Sequence, residues 1–183
     1  MSNYRPTFFP GGTFFLTLVT YKKRPFLTTD LARKILKQSW QDVQKKMPFS
    51  LEAVCLLPDH IHLLITLPEN DSNYSERIKM LKSLFTINFI KAGGMEGFRN
   101  RSRVKKGEAA IWQTRSGEHT IRDEDDYASH LHYIHFNPVH HQLVQKVIDW
   151  KWSSFQRYVE KGIYSETWGS DIDLTQMNVS RVE

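Results

Sequence analysis

The chain has 183 residues, a formal charge of +5, an isoelectric point near 9.3 and 40% hydrophobic residues. This composition excludes a disordered chain, and no apolar run is long enough to cross a bilayer. Cys55 is the only cysteine, so an internal disulfide is excluded and we expect a cytoplasmic protein without a membrane partner. The positive charge favours a polyanionic partner without specifying which one.

The predicted elements alternate between short strands and longer amphipathic helices. The first half is predicted to contain a strand over 13–21, a helix over 29–47, strands over 49–57 and 61–67, and a helix from 72–75 to about 92. A basic loop over 97–107 follows, and then extended segments at 110–112 and 118–121. The last predicted elements are a helix from 123–126 to 137–138 and a short helix near 153–161. This order predicts an α+β fold, namely a ferredoxin-like antiparallel sheet with helices packed on one face, plus a C-terminal helical appendage. We expect a single domain over residues 1–168 and a polar tail over 169–183.

Two histidines interrupt the third predicted strand, which is otherwise apolar and β-branched. His60 and His62 are separated by Ile61. Because side chains alternate between the two faces of a strand, both imidazoles point the same way. Such a pair can hold a divalent metal, although core hydrogen bonds could equally satisfy both rings.

The third predicted helix carries a polar stripe next to its apolar one. The apolar stripe contains Tyr127, Leu131, Ile134 and Pro138, at the spacing of a face that packs on a sheet. The polar stripe contains Asp126, His130, Tyr133 and Asn137. Tyr133 and Asn137 are one turn apart and therefore adjacent in space. Tyr133 could attack a metal-held phosphate, and the Asn137 amide oxygen could be the third ligand beside His60 and His62. A half-buried tyrosine and a helix-ending asparagine would fit the same pattern.

Five cations cluster in the predicted loop over residues 97–107. They are Arg99, Arg101, Arg103, Lys105 and Lys106. We expect them to contact phosphates, although a solvated charge run has the same composition. Trp150 and Trp152 could stack on bases, but packing in the appendage is the favoured interpretation.

Several motifs occur together in one order along most of the chain. They are Tyr4-Arg5 with the segment 11–15, the segment 57–62 with 66–69, Trp112-Gln113, the segment 118–122, the segment 133–139, and the segment 150–155. On these motifs the chain resembles the REP-associated tyrosine transposases, a branch of the single-tyrosine HUH transposases. The chain departs from that family at Ser116-Gly117, where a bulky aromatic pair is usual. This departure predicts different packing near the tyrosine helix.

The resemblance implies the HUH nuclease fold and a metal-dependent transposase and endonuclease. Such an enzyme cleaves and rejoins single-stranded DNA at REP-like hairpins through a covalent 5′-phosphotyrosine. It implies that Tyr133 is the nucleophile and that His60, His62 and Asn137 bind one divalent ion, magnesium or manganese. The expected partner is a single-stranded DNA hairpin rather than a small molecule, and the enzyme would act as a monomer or homodimer.

Two other functional classes fit parts of the same pattern. A non-catalytic DNA-binding protein derived from a transposase would bind hairpins without forming an adduct. A histidine-triad nucleotide hydrolase would need a third alternating histidine, and Leu64 stands at that position. Neither alternative explains why Tyr133 and Asn137 occur together.

Overall fold

The structure, a computed structural model, describes residues 10–170, so the Tyr4-Arg5 motif and most of the predicted polar tail lie outside the described residues. The strands are β1 (Thr13–Val19), β2 (Ser50–Leu56), β3 (His60–Thr66) and β4 (Gly117–Thr120). The helices are α1 (Asp30–Lys46), α2 (Tyr74–Lys91), α3 (Arg101–Lys106), α4 (Glu124–His140) and α5 (Phe155–Glu160). Within residues 10–170, none of the helices combines the length and the apolar character that a membrane span needs.

The four strands form one antiparallel sheet in the order β2-β3-β1-β4. This is the order of a ferredoxin-like sheet, and it confirms the predicted α+β class. In the register, Thr17 of β1 stands opposite His62 of β3 on one side and Gly117 of β4 on the other. Cross-strand partners share a face, so the register decides which side chains surround His62.

One face of the sheet packs against α1 and α2. Phe14, Leu16 and Leu18 of β1 are at most 1% exposed on this face and contact apolar residues of both helices. Helix α1 begins where predicted, because the Thr29 hydroxyl accepts a hydrogen bond from the Ala32 amide at its first turn. This half of the molecule contains the larger apolar cluster and supports β3 from behind.

The opposite face packs against α4 and the C-terminal segment. Phe15, Cys55 and Leu64 point to this side and contact Leu131 and Ile134 of α4. The prediction of helices on one face therefore holds for α1 and α2 only. The reason is that β3 is buried on both faces, although the side towards α4 carries His60 and His62, and a strand buried on both faces needs a layer on each.

Helix α4 is longer than predicted at its C-terminal end. The Asp123 carboxylate caps its start by accepting from the Asp126 amide at 2.8 Å. We expected the helix to end at Asn137-Pro138, which is wrong, since it continues to His140. Proline removes only its own amide hydrogen, and the His141 amide still donates to the Asn137 carbonyl at 2.9 Å. The extra turn brings His141 back towards the sheet.

The C-terminal appendage packs along the edge of β2. The Leu56 amide donates to the Trp152 carbonyl at 2.9 Å, and the Ser154 amide donates to the Val54 carbonyl at 2.9 Å. Trp150 is 8% exposed, and its indole donates to the Leu56 carbonyl at 3.0 Å. Trp150 is therefore a packing residue, and the appendage covers β2 backbone groups that would otherwise form an open sheet edge.

Candidate active site

His60 and His62 lie side by side on the sheet face that α4 covers. Their ring centroids are 4.8 Å apart, and the side chains are almost wholly buried. His60 Nδ1 is 2.7 Å from an Asp59 carboxylate oxygen, and His62 Nδ1 is 2.9 Å from the Thr17 hydroxyl. Both contacts are made through Nδ1, so they orient each ring without using its Nε2 atom. A second partner that orients a ligating histidine in this way is typical of metal sites.

Tyr133 packs against this histidine pair at His62. Its ring centroid is 5.3 Å from that of His62 and 5.9 Å from that of Phe15. Asp126, His130 and Asn137 of the predicted polar stripe are buried. The structure therefore brings the Tyr133 ring to His62, and Asn137 follows one turn later on the same stripe of α4.

Asn137 is buried with an unsatisfied amide. It is 1% exposed, and within residues 10–170 neither its Oδ1 nor its Nδ2 has a hydrogen-bond partner. The Nε2 atom of His60 is in the same condition among the described residues. A buried polar group without a partner costs roughly 1–3 kcal/mol, so native proteins seldom leave one in place without a ligand. The donor set therefore fits a bound cation.

His141 is a fifth polar side chain at this site, and the sequence analysis did not include it. Its ring centroid is 5.0 Å from that of His60. Tyr133, Asn137 and His141 follow one another at intervals of four residues, which is a readable signal. The predicted end of the helix at Asn137-Pro138 lies before His141, whereas the observed helix reaches His140.

The environment keeps His62 in its neutral form. Burial lowers the pKa of His62 well below its ordinary value of 6.5, and the neighbouring His60 and His141 lower it further. A neutral imidazole with a lone pair is the form that binds a metal ion. The protein therefore presents His62 in the form that binds a metal at neutral pH.

A second group of metal-binding residue types lies further along α4. It contains His119 of β4 with Asp126 and His130, whose ligand atoms lie within 4.8 Å of one another. His119 Nε2 is 2.8 Å from Asp126 Oδ2, and His130 Nδ1 is 3.1 Å from Asp126 Oδ1. The Arg122 backbone amide and guanidinium also donate to Asp126 Oδ2, at 3.0 and 3.1 Å. Hydrogen bonds satisfy the Asp126 carboxylate of this group, in contrast to Asn137, although His130 Nε2 has no hydrogen-bond partner within residues 10–170.

The remaining tyrosines and histidines of α4 have other roles. Burial, together with the neighbouring Tyr158, raises the pKa of Tyr127, which makes its phenol harder to ionise than an ordinary tyrosine. His130 is separated from His62 by the Phe15 ring, which stacks on His62 at 5.4 Å and packs on His130 at 4.8 Å. His135 is fully buried beside Ser154, and burial lowers its pKa to about 3.

The basic segment over residues 97–107 is partly helical and only partly exposed. Arg101, Lys105 and Lys106 are exposed on α3. Arg103 is 8% exposed, and its guanidinium donates to the Ala109 and Trp112 carbonyls. Its hydrogen-bonding capacity serves the fold in this structure, and the contact of Arg103 with DNA stays a prediction. Arg99 is committed to an ion pair with Glu96 at 2.7 Å.

Ser116-Gly117, the departure from the family motif, lies at the start of β4. Gly117 stands opposite Thr17, the residue that holds His62. Ser116 lines a 290 Å³ cavity on the α2 side of the sheet, together with Lys82 and Glu118. Ser116 therefore lies on the sheet face away from α4, and different packing near the tyrosine helix stays a prediction.

The fold and the family match together place the protein in one class, the IS200-like transposases. Residues 13–137 match the family model described as "Transposase IS200 like". A REP-associated tyrosine transposase homologue of Haemophilus influenzae is 45% identical over 174 residues, covering 95% of this chain and 97% of that protein. The REP-associated tyrosine transposase of Escherichia coli is 36% identical over 172 residues, covering 94% and 93%.

A solved structure gives the same result. It is described as a REP-associated tyrosine transposase bound to a REP hairpin, and it superposes with a TM-score of 0.77 at 33% identity over the full length of both chains. The chain belongs to the REP-associated tyrosine transposases, within the IS200-like transposase family.

Proposed function

We propose that this transposase cleaves and rejoins single-stranded DNA at REP-like hairpins, with Tyr133 as the nucleophile. One observation carries the proposal: α4 packs the Tyr133 ring against His62, and the same helix stripe carries Asn137, whose amide has no hydrogen-bond partner within residues 10–170. The hairpin as substrate is supported by the 33% identical structure, which is bound to a REP hairpin. The two curated relatives support the transposase class over nearly the whole chain.

His60, His62 and Asn137 would hold one divalent cation, with His141 as a neighbouring donor. Two imidazoles and an amide oxygen form a mixed nitrogen and oxygen set that suits manganese or magnesium. The ion would supply Lewis-acid stabilisation to a phosphate oxygen and help to orient the phosphate. The group formed by His119, Asp126 and His130 is a weaker candidate, because the Arg122 guanidinium already lies 3.1 Å from its only carboxylate.

The chain's own residues account for the covalent step. The Tyr133 oxygen attacks the phosphorus and forms the phosphotyrosine bond, while the bond to the 3′ oxygen breaks. The tyrosine loses its proton, and the leaving oxygen becomes a 3′-hydroxyl. The phosphotyrosine keeps a reactive phosphoester, so a second 3′-hydroxyl can reverse the step and rejoin the strand without ATP. Phe15 and His62 confine the phenol ring and limit the directions in which its oxygen can move.

Arg101, Lys105 and Lys106 would contact the DNA backbone. All three are exposed on α3, and none is part of the candidate metal site. Arg99 remains part of this proposal with a smaller expected share, because it must leave Glu96 to bind a phosphate. Cations on one short helix add affinity through phosphate neutralisation without reading the sequence.

Replacing His60 with alanine should abolish strand cleavage and leave hairpin affinity within about twofold of the unmodified protein. Phosphate and base contacts supply the affinity, whereas the histidine holds only the ion. Cleavage is measured on labelled hairpin oligonucleotides with manganese, and affinity by fluorescence anisotropy on the same DNA. Cleavage by the alanine variant at the unmodified rate would show that the metal assignment is wrong.

Replacing Tyr133 with phenylalanine should remove both cleavage and the covalent adduct, since it deletes only the attacking oxygen. The matched control is Tyr127→Phe, which removes a phenol of the same helix outside the site and should retain cleavage. Both variants are compared on denaturing gels after incubation with hairpin DNA and manganese. Normal cleavage by Tyr133→Phe would point to a nuclease that uses water.

Hairpin binding by the unmodified protein without cleavage would favour the non-catalytic DNA-binding alternative.

Replacing Arg101, Lys105 and Lys106 together with glutamine should flatten the salt dependence of hairpin binding. Each lost phosphate contact reduces the slope of log affinity against log salt by about 0.7–0.9. The control replaces the exposed residues Lys34, Lys45 and Lys46 of α1, which changes the net charge by the same amount on another helix. Equal slopes for the two triple variants would mean that α3 carries only a solvated charge run.

A further inference from the structure

A buried carboxylate links the first turn of α4 to β4. The Asp126 side chain is 3% exposed, and it accepts from His119 Nε2, from the Arg122 amide and from the Arg122 guanidinium. Burial alone would raise its pKa, but the hydrogen bonds from His119 and Arg122 outweigh that effect and hold the pKa at about 2. The Asp126 carboxylate is therefore ionised at neutral pH.

The fourth partner, His130, extends this network one turn along the helix. Its Nδ1 is 2.8 Å from the Asp126 carbonyl and 3.1 Å from the Asp126 carboxylate. Both partners are acceptors, so Nδ1 carries the proton. His130 also stacks on His119, with ring centroids 4.5 Å apart and an angle of 14° between the planes. Two turns of α4 are thus held to one residue of β4.

We call the hydrogen-bonded group of Asp126, His119, Arg122 and His130 the lock, and it is a structural contact rather than a metal centre. The two nitrogens that face Asp126 act as donors, and a metal ion would require both to give up their protons. A divalent ion would also lie next to the Arg122 guanidinium. The Asp126 carboxylate has four donors around it, whereas within residues 10–170 the Asn137 amide has no hydrogen-bond partner and His130 Nε2 of the lock has none either.

The lock and the nucleophile belong to one side of one helix. Asp126, His130, Tyr133 and Asn137 are separated by four, three and four residues, the spacing of a single stripe that faces the sheet. Phe15 connects the two ends, because its ring packs on His130 at 4.8 Å, on His62 at 5.4 Å and on Tyr133 at 5.9 Å. His119 stands opposite Phe15 in the register of β1 and β4.

We propose that Asp126, held by His119 and Arg122, is a positioning residue for the Tyr133 nucleophile. By pinning the first turn of α4 to β4, it sets the rotation of the helix about its axis. It therefore sets the height of the phenol oxygen above the His60 and His62 rings. Asp126 does not touch the reacting atoms and acts through the helix and Phe15. This proposal rests on Tyr133 being the nucleophile, as proposed above.

The chemistry explains why a carboxylate is needed at this position. An asparagine has the same shape but carries two amide hydrogens on one side. Whichever way it is turned, a donor faces one of the donors of His119, Arg122 or His130. The first turn would then move to relieve the conflict, and Tyr133 would move with it. Misplacement of a reacting group by about 1 Å can cost on the order of 100-fold in rate.

The test compares Asp126→Asn with Asp125→Asn and the unmodified protein in single-turnover formation of the covalent adduct. Asp125 is exposed in the same helical turn, so its replacement makes the same change of charge without touching the lock. Saturating hairpin DNA and manganese are used, and the rate constant and final amplitude are fitted separately. Hairpin affinity and bound manganese are measured on each protein in parallel.

A positioning role predicts a rate constant lowered roughly 10- to 100-fold in Asp126→Asn, with unchanged amplitude, hairpin affinity and manganese content. Asp125→Asn should match the unmodified protein. A purely structural role would lower the amplitude, because fewer molecules fold, and leave the rate constant unchanged, which would overturn the proposal. Loss of manganese in Asp126→Asn would also overturn it and assign a metal to the lock. If the unmodified protein forms no adduct at all, the proposed function has failed instead.

Discussion

The structure depends on burying a polar helix stripe against a sheet. Asp126, His130 and Asn137 of α4 are all at most 6% exposed. Removing such groups from water costs several kcal/mol unless each finds a hydrogen-bond partner. Helix α4 is therefore most stable where neighbouring residues supply those partners. Asp126 finds them on β4 and in the linker that precedes α4. Asn137 finds none among the described residues, and this difference separates the part of the stripe that is satisfied within the fold from the part that we propose binds a ligand.

The sheet prepares the other half of the site by ordinary strand geometry. Antiparallel pairing places Thr17 opposite His62, and the Thr17 hydroxyl then holds His62 Nδ1. Asp59 holds His60 in the same way from the preceding turn. A shift of one residue in the pairing of β1 with β3 would turn the Thr17 hydroxyl to the opposite face, away from His62. The apolar layer of α1 and α2 behind the sheet is what keeps that register fixed.

Much of this arrangement could be predicted from local periodicity. The two-residue spacing of His60 and His62 and the helical spacing of Tyr133 and Asn137 each place their side chains on one face. Their meeting in space was implied by the family resemblance. His141 continues the four-residue spacing of Tyr133 and Asn137, but its place at the site depends on α4 continuing past Pro138, where the helix was predicted to end. The buried state of Arg103 could not be predicted from local periodicity, because its carbonyl partners lie in a segment of irregular backbone. The helix layer on the second face follows from β3 being buried on both sides, a signal that the element order alone does not convey.

The claim at the centre of this account is that α4 delivers the Tyr133 oxygen to a phosphate held over His60 and His62. The most direct measurement is to trap the covalent complex of the unmodified protein with hairpin DNA, digest it with protease and nuclease, and locate the nucleotide-bearing peptide by mass spectrometry. The account predicts one modified residue, Tyr133, with the phosphate of a 5′ end attached to it. Modification of Tyr127, Tyr158 or a histidine in its place would contradict the account.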